Sequence, residues 1–145
     1  MPAFSGQFSW EDGLIWQVGF VASEKELPQT DRIHLCPALV DTEASHTCIS
    51  QSVAMELRLE PTGKIDMQTA RGAEEVNIYD VMPAIVIAEL PDLGGSTKGT
   101  IQVFRPIRSP EFDPADKNYK ALIGRDILGQ GVLTISFDGH YTFAF

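Results

Sequence analysis

At 145 residues, with 43% hydrophobic and 21% charged side chains, the chain can bury the core of one domain, and its composition excludes a fibrous or disordered polymer. A formal net charge of -9 opposes a nucleic-acid backbone or an anionic membrane surface as the main partner, because both would repel the average surface. No apolar run approaches the roughly 20 residues that span a bilayer, and the N-terminus carries no basic-then-apolar leader, so the expectation is no membrane and a cytoplasmic setting.

The two cysteines, Cys36 and Cys48, are too few for a disulfide framework and have no partners at zinc-site spacing, so both are expected reduced and partly buried. Residues 1–13 read as a polar-aromatic lead-in with little pattern, and residues 14–145 as one domain. Leu14 to Val21 is rich in β-formers and predicts a first strand, with Gly19 as the mark of a bulge. Ser23 to Arg32, polar and carrying Pro28, predicts a surface loop, and Ile33 to Val40 a second strand.

Ile49, Val53 and Leu57 recur at helical spacing after the second strand. Thr47 or Ser50 is placed to cap this short helix and Glu60-Pro61 to stop it. Lys64 to Thr69 and Val76 to Leu90 predict two strands joined by a hairpin tip around Ala70 to Glu75, and Pro83 suggests an edge or bulge in the second. Pro91 to Gly99 is a turn, Thr100 to Pro106 a strand, and Ser109 to Lys120, with Pro110 and Pro114, a solvated loop. Ala121 to Ile123 is a short buried strand that meets Gly124, a charged pair and two apolar residues able to start a helical turn. Val132 to Phe137 and Tyr141 to Phe145 flank the turn dipeptide Asp138-Gly139. Many short strands with one short helix define an all-β chain, a small closed or partly closed β-barrel.

Chemistry concentrates where the second strand ends. The run from Ala38 to Ser45 reads Ala-Leu-Val-Asp-Thr-Glu-Ala-Ser, so an apolar strand delivers Asp41, a hydroxyl and small residues at the point where the backbone leaves the core. This run resembles the Asp-Thr-Gly-Ala-Ser active-site loop of the retropepsin-like aspartic peptidases, matching it at Asp41, Thr42, Ala44 and Ser45 and departing at Glu43. The block Leu122-Ile123-Gly124-Arg125-Asp126 is similar to that family's apolar-apolar-Gly-Arg signature, and the hairpin between the two blocks lies where the family has its flap.

The resemblance spans residues 14–145 and implies a homodimer, since such a half-barrel supplies one of two catalytic aspartates. It implies Asp41 as the catalytic residue, Thr42 bonding across the twofold axis, Ala44 supporting the carboxylate from its backbone, and Gly124 packing behind the loop. Thr69, Ala70, Arg71, Gly72 and Ala73 would form a flap over a peptide held extended, and Arg125 and Asp126 would make structural ion pairs. The implied reaction is peptide-bond hydrolysis without cofactor or metal, by water activated between two Asp41 carboxylates.

Glu43 adds a charge beside each Asp41. Two unit charges ~6 Å apart at an effective dielectric of ~20 repel by roughly 2.8 kcal/mol, so acid should favour the dimer. A silent relative, a peptidase working only in acid, and a loop that turns Glu43 harmlessly outward are the three readings this leaves open. The alternative function is a peptide-binding or dimerisation module that keeps the fold without the chemistry. Two further sites drawn from the same loop carry less: a metal cluster of Asp41, Glu43 and His46, and a nucleophile among Ser45 and Cys48 beside His46.

Overall fold

The computed structural model describes residues 2–22, 33–88 and 99–145. The loop expected over Ser23 to Arg32 and nearly all of the turn expected over Pro91 to Gly99 lie outside the described residues. In chain order the elements are β1 (Ala3–Gln7), β2 (Ile15–Val21), β3 (His34–Val40), β4 (Cys48–Ser50), α1 (Gln51–Glu56), β5 (Gly63–Thr69), β6 (Gly72–Ala88), β7 (Gly99–Val103), β8 (Ile107–Phe112), β9 (Ala121–Ile123), α2 (Arg125–Leu128), β10 (Val132–Ile135) and β11 (His140–Ala144).

The chain is mostly β, and its larger sheet nearly closes on itself. The order β2-β3-β9-β4-β8-β6 returns to its start because β6 also pairs with β2, while β5 and β7 hang from β6. The long strand β6 makes this possible by changing partners along its length: β5 up to Ile78, β8 from Ile78 to Val81, β2 from Met82 to Ala84, and β7 beyond. Pro83 therefore sits in the interior at the handover rather than at an edge. Its carbonyl accepts the Phe104 amide at 2.9 Å, and with no N–H of its own it returns no bond to that partner. Gly19 is no bulge either: it keeps regular register with Leu35 and Ala84, and a Cβ there would meet the Ile33 side chain at 2.5 Å.

Side-chain alternation explains the core. Trp16, Val18 and Phe20 of β2, Cys36 and Ala38 of β3, and Ile49 of β4 converge with Val53 and Ala54 of α1 and with Ile123 and Ile127 around β9 and α2. The α1 helix begins at an N-cap Ser50 whose side chain makes no capping bond. It ends at Leu57, earlier than Glu60-Pro61, with Arg58 in the left-handed region at φ 54°. Ile49, read as helical, belongs to β4. A second one-turn helix, α2, joins the one that was expected.

Two stretches behave differently from their sequence reading. The lead-in is a strand: β1 pairs antiparallel with β11, and β10 completes a three-stranded sheet. Phe4 carries β1 onto the core, with ring centroids 4.9 Å from Trp16 and 5.9 Å from Phe143. The stretch read as a solvated loop from Ser109 begins inside β8, whose residues through Phe112 are strand; β8 pairs with β6 on one side and runs parallel to β4 on the other. Burial of Ser109 and Pro110 between those neighbours outweighs their loop-like composition.

Candidate functional site

The Asp41 loop is built on parallel pairing. Ala38, Leu39 and Val40 lie beside Ala121, Leu122 and Ile123, and the Asp41 amide extends the ladder to the Ile123 carbonyl at 2.9 Å. The chain then turns tightly on the Asp41 side chain, whose Oδ1 accepts the amides of Glu43 at 3.0 Å and Ala44 at 3.3 Å. Two backbone donors thus fix one oxygen of a half-buried carboxylate at the surface. Thr42, Glu43 and Ser45 are exposed and Ala44 half-buried.

Among the described residues only Arg58 and Ala115 are non-glycine residues at positive φ. The backbone at Glu43 therefore places no demand for glycine, and its amide serves Asp41 as a glycine's would.

A buried polar clamp holds this loop against α2. The Thr47 amide donates to both Asp126 oxygens, at 3.0 and 2.9 Å, and the Thr47 hydroxyl donates to Asp126 Oδ1 at 2.6 Å. The same hydroxyl accepts the buried Gly124 amide at 3.0 Å, and the Arg125 amide donates to the Ala44 carbonyl at 2.9 Å. On the far side the Ser109 hydroxyl donates to the Thr47 carbonyl at 2.9 Å. Gly124 touches the loop directly: a Cβ there would lie 2.6 Å from the His46 carbonyl carbon and 2.7 Å from its oxygen.

Asp126 is accordingly an anchor for backbone and hydroxyl donors rather than half of an ion pair. Arg125 is exposed and makes no ion pair among the described residues; its contribution is its amide. Thr47 and Ser109 are the site residues that sequence reading missed. The available signal is a hydroxyl placed directly before the apolar pair Cys48-Ile49, a position that suits helix capping equally well.

The hairpin tip is tighter than its sequence suggested. Thr69 pairs with Gly72, leaving Ala70 and Arg71 as a two-residue turn, with Gly72 at φ 108° where a Cβ is disfavoured. The Thr69 hydroxyl ties the turn together, donating to the Gly72 carbonyl at 2.9 Å and accepting the Arg71 amide at 3.1 Å.

Between this hairpin, the start of α1 and the end of β8 lies a cavity of about 940 Å³. Thr69, Ala70 and Arg71 line it; Gly72, Ala73 and the Asp41 loop do not. Of the hairpin and the Asp41 loop, only the hairpin lines this cavity. Leu122 lines the cavity and precedes Ile123, whose carbonyl accepts the Asp41 amide.

The remaining chemistry in the loop is modest. Ser45 Oγ and His46 Nδ1 do meet, at 2.9 Å, but both residues are exposed and no third group orients the ring among the described residues. Burial, with smaller contributions from Asp126 and Asp41, pushes the Cys48 thiol up to about 12, and burial does the same to Cys36, so both are inert free thiols. No group of three His, Cys, Asp or Glu side chains among the described residues is placed to hold a metal ion. No described helix is long and apolar enough to cross a membrane. Neither a protein-family model nor a curated protein matches this chain.

Proposed function

We propose that the chain is one half of an aspartic-type peptidase, a homodimer in which the Asp41 carboxylates of two protomers activate a water between them. The observation that carries the reading is the setting of Asp41: one oxygen held by two amides, at the end of a strand paired parallel to β9, on a loop clamped from behind by Thr47, Gly124 and Asp126. Hydrolysing an amide without a covalent nucleophile needs one ionised carboxylate to take a proton from water and one neutral carboxyl to polarise the carbonyl. Two identical carboxylates brought close cannot both ionise, so symmetry alone divides those roles. A peptide lying extended beneath the hairpin would add backbone pairing to whatever its side chains contribute. In this dimer Thr42, exposed in the protomer, has a partner across the axis.

A second reading, a silent peptide-binding or dimerisation module on the same fold, is favoured by one observation, the exposed carboxylate of Glu43 beside Asp41. Cleavage of unfolded casein between about pH 4 and about pH 7 separates the two. The peptidase reading expects activity that Asp41→Asn abolishes and Glu43→Gly raises. Peptide binding without cleavage by the parent chain or by Glu43→Gly would establish the module instead.

A further inference from the structure

The cavity beside the hairpin carries a charge pattern that the peptidase reading does not use. Of its charged lining residues, Lys64 lies 3.6 Å from Glu75, and Arg71 lies 3.9 Å from Asp113. Both cations are thus matched, and Glu74 and Glu111 are left over, so the cavity is net acidic. Glu111 differs from the other acids in being half-buried and held. Its Oε2 accepts the Tyr79 hydroxyl at 2.5 Å, and Tyr79 is itself buried on β6, one strand away from β8. Burial first, and then the neighbouring Glu111, keeps the Tyr79 hydroxyl above the ordinary tyrosine range, so it stays a donor at every working pH.

We propose that this cavity is a subsite for a basic residue of the bound peptide, arginine or lysine, with Glu111 as its counter-ion and Tyr79 as the residue that positions Glu111. The peptide's use of the cavity rests on the reading given under Proposed function. A carboxylate with one oxygen held by a hydroxyl keeps its charge and its other oxygen for a cationic donor, a guanidinium or an ammonium. The methylene stem of such a side chain finds apolar wall at Met67, Val76, Phe112 and Leu122. The net charge of -9 works in the same direction, drawing cationic peptides toward the protein at low ionic strength.

The test uses the intact chain and quenched peptides in which one position, moved in turn along the sequence, holds Arg, Leu or Glu. At one position the Arg peptide should exceed the Leu peptide in kcat/KM by roughly tenfold or more, and the Glu peptide should fall below both. Glu111→Gln should bring the Arg-to-Leu ratio close to one, and Tyr79→Phe should lower it several-fold. If Glu111→Gln does not fold, Glu111→Asp, which keeps the charge and shortens the reach, should also lower the ratio. A purely structural role for either residue would change all three peptides equally, and that outcome, or a ratio that survives Glu111→Gln, overturns the subsite. If the parent chain cleaves none of the peptides, anisotropy with the same peptides, fluorescently labelled, decides separately. Glu111-dependent preference for Arg in binding upholds the subsite while the peptidase reading fails, and equal binding of Arg, Leu and Glu peptides overturns it.

Discussion

Replacing Thr47 with valine keeps the shape of a fully buried side chain and removes a single oxygen. That oxygen makes two bonds, donating to Asp126 Oδ1 and accepting the amide of buried Gly124. A hydrogen bond to a charged acceptor contributes about 1.5–3 kcal/mol, and a buried amide left without an acceptor costs about 1–3 kcal/mol. The two effects share one site and are not fully additive, so Thr47→Val should destabilise the fold by about 3 kcal/mol. For a chain of this length the melting temperature should drop by roughly 6–12 °C. Urea unfolding followed by tryptophan fluorescence measures this as a lower midpoint at unchanged slope. Thr47→Ser, which keeps the hydroxyl and loses a methyl, should cost about 1 kcal/mol. A loss under about 1 kcal/mol for valine, or serine as damaging as valine, would refute the view that the hydroxyl clamps the loop.

Gly124→Ala should be as severe in a different way, since its Cβ would press on the backbone of His46; a cost of about 1–3 kcal/mol is expected, with any activity lost before the fold is. Raising the pH should weaken the fold through its thiols. In the folded chain Cys36 and Cys48 stay protonated up to about 12, while in the unfolded chain they ionise near their ordinary value, so the unfolded state binds fewer protons between these limits. Stability should therefore fall as pH rises from about 9 toward about 12, and both thiols should resist alkylation until denaturant is added; prompt labelling of the native protein at about pH 8 would contradict the burial. In the proposed homodimer two Asp41 and two Glu43 carboxylates would be brought together, a like-charge repulsion that acid relieves, so sedimentation should show tighter dimers at about pH 5 than at about pH 8.

The strands that were legible in the sequence are those whose burial is written locally. Trp16, Val18 and Phe20 alternate toward the core, and the abrupt passage from Val40 to Asp41 marks a strand leaving it. What was illegible depends on distant neighbours. β1 has one large apolar residue, Phe4, and its identity as a strand comes from a partner 137 residues away, as the Ser5–Thr142 hydroxyl contact shows. β8 contains Pro110 and charges, and only its place between β4 and β6 makes it a strand. The site divides along the same line. Asp41 announced itself by position, whereas the Thr47–Asp126 clamp joins residues 79 apart whose separate sequences suggest a helix cap and an ion pair.

The pairing of β1 with β11 also sets an order of events in synthesis. β1 must wait for its ladder until the residues up to Ala144 have emerged, because β11 is its only strand partner among the described residues. The backbone bond from the Phe145 amide to the Pro2 carbonyl, at 3.0 Å, lengthens this late seam. A chain stalled short of it would hold its larger sheet while leaving Trp16 and its aromatic neighbours without their cover, an invitation to chaperones that the finished fold withdraws.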